Sequence, residues 1–209
     1  MLEKRKKMKT RKIIGGLLGC LMLCGILVGC SGNDSNSNPN SNYRKGTVTE
    51  SKFTSEWMGI QYTLPSDMTM LSEETIASGS KDNIQVEMQA YLTDASSTKN
   101  IGMLAEDVSK DTSIDENKYI ELTKTQMEKA IPGITFGEQG KRTIAEQEFY
   151  ELPYSYTRDV DGTQTTVTQT FLCKKKEDRM VCITLTYPDQ ETLDHLLSGF
   201  SPLNQTTSQ

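Results

Sequence analysis

The chain has 209 residues, 35% of them hydrophobic, with a single histidine, five cysteines and a formal net charge of −5. An excess of acid over base repels phosphate backbones and anionic head groups, so nucleic acid is not an expected partner. One histidine also leaves little material for a catalytic triad or a histidine-based metal centre.

The first segment is a basic cluster, Lys4, Arg5, Lys6, Lys7, Lys9, Arg11 and Lys12, which holds that end on the cytoplasmic side of a membrane. The apolar stretch Ile13 to Val28 that follows has 16 residues, fewer than the roughly 20 that a spanning helix needs. It closes on Leu27-Val28-Gly29-Cys30, just before a Ser/Asn-rich run. This arrangement resembles the lipobox of bacterial lipoproteins. The resemblance implies that residues 1–29 are a signal peptide that is removed, and that the Cys30 thiol carries a diacylglycerol with palmitate-class chains. The protein would then be lipid-anchored to the cell membrane on its extracytoplasmic face. An uncleaved signal anchor is the alternative. At about 0.8 kcal/mol per buried methylene, one acyl chain holds weakly and two or three hold stably.

The leader carries seven of the 23 Lys/Arg and one of the 28 Asp/Glu, which leaves 16 basic and 27 acidic residues and a formal net charge near −11. Membrane attachment must therefore come from the lipid, since no basic patch is available to supply it. From Cys30 to Gly46 the sequence is dominated by Ser and Asn; it has no apolar face to offset its ordering entropy and reads as a flexible tether. Residues 47–203 have the size of one ordinary domain, and residues 204–209 form a polar tail.

Within the domain the hydrophobic period changes between two and about 3.6, the mark of an α+β protein. Ser51–Trp57 and Gly59–Leu64 read as two strands stopped by Pro65. Ile84, Val86, Met88, Ala90 and Leu92 alternate on one face of a third strand. Ile101, Leu104, Ala105 and Val108 have the i, i+3, i+4, i+7 spacing of a helix. A second helix opens with Ser113 and Glu116 in a capping-box pattern, carries the stripe Ile120, Thr123, Met127, Ala130 and Ile131, and ends at Pro132-Gly133.

Four extended segments follow, Thr135–Thr143, Gln147–Arg158, Thr163–Lys174 and Met180–Tyr187. Their short turns make them antiparallel neighbours. A last helix has Asp189 as its cap and Leu193, Leu196, Leu197 and Phe200 as its buried stripe.

Three segments, Phe53-Thr-Ser-Glu-Trp-Met-Gly-Ile-Gln-Tyr-Thr-Leu-Pro65, Gly140-Lys-Arg-Thr-Ile-Ala-Glu-Gln-Glu-Phe-Tyr150 and Val181-Cys-Ile-Thr-Leu-Thr-Tyr187, together with this order of elements, resemble the PsbP-like family, which includes envelope lipoproteins of the DcrB type. The resemblance covers nearly all of residues 47–203. It implies a single α+β domain, an antiparallel β-sheet flanked by helices in an α/β/α sandwich, and a non-catalytic binding or assembly role. It supplies no catalytic residues.

Cys20 and Cys24 leave with the leader and Cys30 is lipidated, so Cys173 and Cys182 remain as the thiols of an exported domain. If Glu177 and Asp178 form a two-residue hairpin loop, residue 173 pairs with 182 at a non-hydrogen-bonded position, with Cα atoms about 4.5 Å apart. A one-residue shift would put the sulfurs on opposite faces. Val181, Ile183 and Leu185 read as the core stripe, which leaves Cys182 on the other face. A structural disulfide, two buried thiols and a redox-active pair all remain open.

No catalytic residue, metal site or cofactor is expected. His195 falls beside the stripe of the last helix, and Glu146, Glu148 and Glu151 read as solvent-facing acids. Met88, Met103 and Met127 occupy apolar positions where methionine fills core gaps. Tyr154 and Tyr156 share a strand face and are the candidate ligand-contact residues, with burial as the competing account. The expected function is a membrane-anchored surface lipoprotein, a non-catalytic binding or assembly module of the cell envelope whose partner is an envelope protein, polymer or small ligand. The alternative is an envelope redox or hydrolytic enzyme using Cys173 and Cys182 or surface carboxylates.

Overall fold

Every residue of β11 (Arg179–Tyr187) is buried, because this strand lies inside the larger of two sheets and both faces of that sheet are covered. The structure, a computed structural model, describes residues 42–81, 83–92, 99–160 and 162–203. The expected signal peptide, Cys30, the first part of the tether and the polar tail lie outside the described residues.

The large sheet also contains β4 (Met68–Met70), β5 (Ile84–Leu92), β6 (Asn100–Asp107), β7 (Thr135–Phe136), β8 (Gly140–Ile144), β9 (Gln147–Val160) and β10 (Thr163–Lys176). Its spatial order is β4-β5-β6-β11-β10-β9-β7, with β8 also paired to β9. A four-stranded sheet, in the order β1-β2-β3-β12, is built from β1 (Thr47–Val48), β2 (Lys52–Ser55), β3 (Ile60–Thr63) and β12 (Phe200–Pro202). All pairings within both sheets are antiparallel.

Three helices are present among the described residues: α1 (Glu73–Ser78), α2 (Glu116–Ala130) and α3 (Gln190–Ser198). None is long and apolar enough to cross a membrane. One face of the large sheet packs on the small sheet and α3 through Met88, Met103, Leu172, Ile183, Phe53, Ile60 and Leu196. The opposite face packs on α2 through Leu104, Phe171, Met180, Tyr119, Ile120 and Met127. A smaller cluster, Leu71, Ile76 and Val86, lies under α1. The domain is α+β, with the antiparallel sheet flanked by helices as expected, and the small sheet shares the layer of α3.

Several local expectations are corrected. Residues 100–107, expected to begin a helix, are the strand β6. Ile101 to Glu106 are buried without a break, and in a strand covered on both faces an unbroken apolar run imitates helical spacing. The capping residue of α2 is Asp115, whose carboxylate accepts from the Lys118 amide at 2.8 Å. Ser113 instead donates its hydroxyl to Asp111. The apolar face of β5 is divided at a bulge: Val86 pairs with Leu104 but Met88 pairs with Met103, so Glu87 is an extra residue that inverts the alternation. Phe200 belongs to β12 and pairs with Tyr62, because α3 stops at Gly199. The expected strand Thr135–Thr143 is two strands, β7 and β8, both on the outer edge of β9.

Two other local expectations held. Asp189 caps α3 and accepts from the Thr192 amide. The β10–β11 turn is the two-residue loop Glu177-Asp178, closed by Lys176 opposite Arg179, with Glu177 at a φ of 54°.

Candidate functional site

Ordered chain reaches back before Thr47 and is clamped at one pole of the domain. Glu87 is only 1% exposed, and an isolated buried carboxylate would be costly. Its Oε1 accepts from the Tyr43 hydroxyl and its Oε2 from the Gly46 amide at 2.8 Å. Burial raises the Glu87 carboxyl above its ordinary value, while those two hydrogen bonds and the charges of Lys45 and Arg179 act against that rise. The Tyr43 hydroxyl is also raised, by its own burial and then by Glu87.

The Tyr43 ring is held on two sides. The Arg179 guanidinium lies 4.2 Å from its centroid, and the Trp57 ring meets it edge-on at 5.1 Å. Arg179 in turn faces Asp107 at 3.7 Å, and Lys176 stands 5.5 Å from the Trp57 ring. The bulge in β5, the β10–β11 turn and the β2–β3 connection thus meet on one short segment, residues 43–46. Chemically this is a clamp: aromatic, cationic and hydrogen-bonding groups that fix a passing chain. None of Tyr43, Glu87, Trp57 or Arg179 was singled out from sequence. The available signal was Glu87 itself, the lone acid inside the apolar run Ile84–Leu92.

A second polar group lies under α2. Glu106 is fully buried and accepts from the Tyr119 hydroxyl at 2.6 Å and from the Asn83 side-chain Nδ2 at 3.1 Å. Burial pushes its carboxyl up to about 7, opposed by the Tyr119 hydrogen bond and reinforced by Asp107. The Cys182 sulfur lies 3.4 Å from the same Tyr119 oxygen. Cys173 pairs directly with Cys182, the register expected from the turn. Both sulfurs are buried thiols on the α2 face, whereas Val181, Ile183 and Leu185 belong to the opposite core.

Tyr154 and Tyr156 share one face of β9 with nearly parallel rings 6.5 Å apart. Tyr154 is a core residue at 3% exposure, while Tyr156 is half-buried at the edge of that core. Glu148 is exposed, as expected, and paired with Lys141 at 2.7 Å, whereas Glu151, expected to face solvent, is buried with its charge matched by Arg142 at 2.7 Å. Glu146 sits in the β8–β9 turn with a φ of 62°, and His195 is exposed on α3. Met88, Met103 and Met127 are fully buried core residues. Among the described residues no group of three or more His, Cys, Asp and Glu is placed to hold a metal ion.

No protein-family model and no curated protein matches this sequence. Solved structures do match. The cyanobacterial PsbP protein CyanoP from Synechocystis superposes with a TM-score of 0.51 at 11% identity, over 84% of this chain and 98% of that one. A Bacteroides thetaiotaomicron protein gives 0.42 at 12% identity, over 74% of this chain and 49% of that one. LpqN of Mycobacterium tuberculosis, described as involved in cell envelope biogenesis, gives 0.38 at 14% identity, over 74% of this chain and 85% of that one. The fold of this chain is PsbP-like.

Proposed function

We propose that this chain is a non-catalytic module of the cell envelope, anchored on the extracytoplasmic face by lipid on Cys30, that binds or assembles with an envelope protein, polymer or small ligand. The observation that carries the reading is the clamp on Tyr43. Twelve residues, Ser31 to Asn42, separate Cys30 from it. On flexible-linker scaling such a length spans roughly 20 Å, so the pole bearing the β10–β11 turn stays close to the bilayer. The end of the β9–β10 hairpin, where Val160 pairs with Thr163, then points away from it, since it lies at the other end of β10.

The groups that an enzyme would use have structural occupations. Glu148 is ion-paired at the surface, Glu151 is buried against Arg142, and Glu106 and both thiols are enclosed under α2. The end of the β9–β10 hairpin extends beyond the last β10–β11 pair, Thr168 with Tyr187, and exposes Thr157, Thr163, Gln164 and Thr166. This exposed end is the contact surface of the proposal.

Photo-crosslinking residues at Gln164 and Thr166 in intact cells test the reading. Capture of the same envelope neighbour from both positions, lost when Cys30→Ala releases the protein from the membrane fraction, is the expected result. Purified protein with measurable turnover, combined with no captured neighbour, would replace the proposal with an enzyme.

A further inference from the structure

We infer that Cys173 and Cys182 form a disulfide across the β10–β11 hairpin in the exported protein. The bridge rests on the extracytoplasmic location proposed above, because an oxidising compartment has to supply its oxidant. The geometry comes from the chain itself. Lys176 and Arg179 close the two-residue turn, so counting back through Lys175–Met180 and Lys174–Val181 brings Cys173 opposite Cys182 at a non-hydrogen-bonded position. Such pairs have Cα atoms about 4.5 Å apart, inside the range that a disulfide accepts.

The two sulfurs lie on the same face and point at the same object, the first turn of α2. The Cys173 sulfur is 3.9 Å from the Glu116 carbonyl oxygen, and the Cys182 sulfur is 3.4 Å from the Tyr119 hydroxyl. Closing the bridge gives up the weak thiol donors of these contacts. Glu116 and Tyr119 lose nothing essential, since Tyr119 still donates to Glu106 and the Glu116 carboxylate still accepts from the Lys175 amide at 2.9 Å.

In the reaction each thiol loses its hydrogen and one sulfur–sulfur bond forms. Two electrons and two protons pass to the disulfide of an exported thiol oxidant, which leaves as a dithiol. With Cys173 at 0% and Cys182 at 1% exposure, exchange takes place on the hairpin before α2 packs. The helix then seals the product from reductants.

Maleimide mass-tagging of the full-length protein tests this, using acid-quenched native cells and unfolding before labelling. The expected result is a processed, lipidated chain that takes no tag before reduction and two after it. Cys173→Ser and Cys182→Ser variants, each taking one tag without reduction, show that the remaining site is reachable. A processed, lipidated chain with two tags before reduction overturns the bridge and leaves the location standing. A leader-bearing chain with all five cysteines reacting overturns the location and the bridge together.

Discussion

The Tyr43 hydroxyl donates to the Glu87 carboxylate across 44 residues of sequence, and this contact ties the chain ahead of β1 to the bulge in β5. The expected tether ran to Gly46; the side chains that stop it short are the Tyr43 ring and a buried acid whose oxygens need donors. Replacing Tyr43 with Phe withdraws one donor from Glu87 while the ring remains between Arg179 and Trp57. The expected loss is about 1–3 kcal/mol in denaturant unfolding. Limited proteolysis should cut before Thr47 faster in the variant than in the native chain.

Gly46 makes a separate prediction. A Cβ there would lie 2.3 Å from the Phe53 ring and 2.9 Å from the Thr54 carbonyl oxygen, and the second of these is backbone that cannot swing away. Gly46→Ala should cost about 1–3 kcal/mol. Gly199→Ala should cost a similar amount, since its Cβ would meet Tyr62 at 2.6 Å and the Thr63 carbonyl at 2.7 Å. Thermal unfolding of the two variants checks both values.

How much could be read from sequence depended on whether the deciding interaction was local. The Cys173–Cys182 register follows from two turn residues, and Asp189 caps α3 from its own neighbourhood. The strand meander Gln147 to Tyr187 was legible for the same reason. β6 was not, because Ile101, Leu104, Ala105 and Val108 fit a helical stripe equally well until both faces of the strand are known to be covered. The bulge at Glu87, the pairing of Phe200 with Tyr62 and the Tyr43 clamp depend on partners in other elements of the fold. Asp115 is the α2 cap in place of Ser113 because the helix starts at Glu116, which puts Asp115 immediately before it, with the Lys118 amide in reach of its carboxylate. The tyrosine pair on β9 was found by spacing, but that spacing gave no indication that Tyr154 would be enclosed and Tyr156 half-open.

That difference separates the two tyrosines experimentally. Tyr154→Ala removes a core aromatic and should cost about 3–5 kcal/mol. Tyr156→Ala should unfold close to the native midpoint, with a loss under about 1.5 kcal/mol, because its side chain is already partly solvated. If the outward hairpin is the contact surface, Tyr156→Ala should reduce crosslinking yield at unchanged abundance.

Glu106 predicts a pH dependence of stability. Its carboxyl titrates near 7 in the folded chain against an ordinary value of 4.5, so between those values the folded state holds a proton that the unfolded state has released. Stability should therefore be level below about pH 4.5, decline as pH rises through the window, and level off above about 7. The one-group contribution is on the order of 3 kcal/mol at most. Glu106→Gln cannot ionise and still offers an oxygen to Tyr119. Its stability should change less across pH 5 to 8 than that of the native protein, and equal slopes would remove Glu106 as the cause.

The account as a whole depends on a lipid at Cys30 holding the Tyr43 clamp near a bilayer. Intact-mass and N-terminal peptide analysis of the protein extracted from membranes measures this most directly. The predicted result is a chain beginning at Cys30 and carrying the added mass of a diacylglycerol. A chain that retains residues 1–29 and carries no added lipid would contradict it.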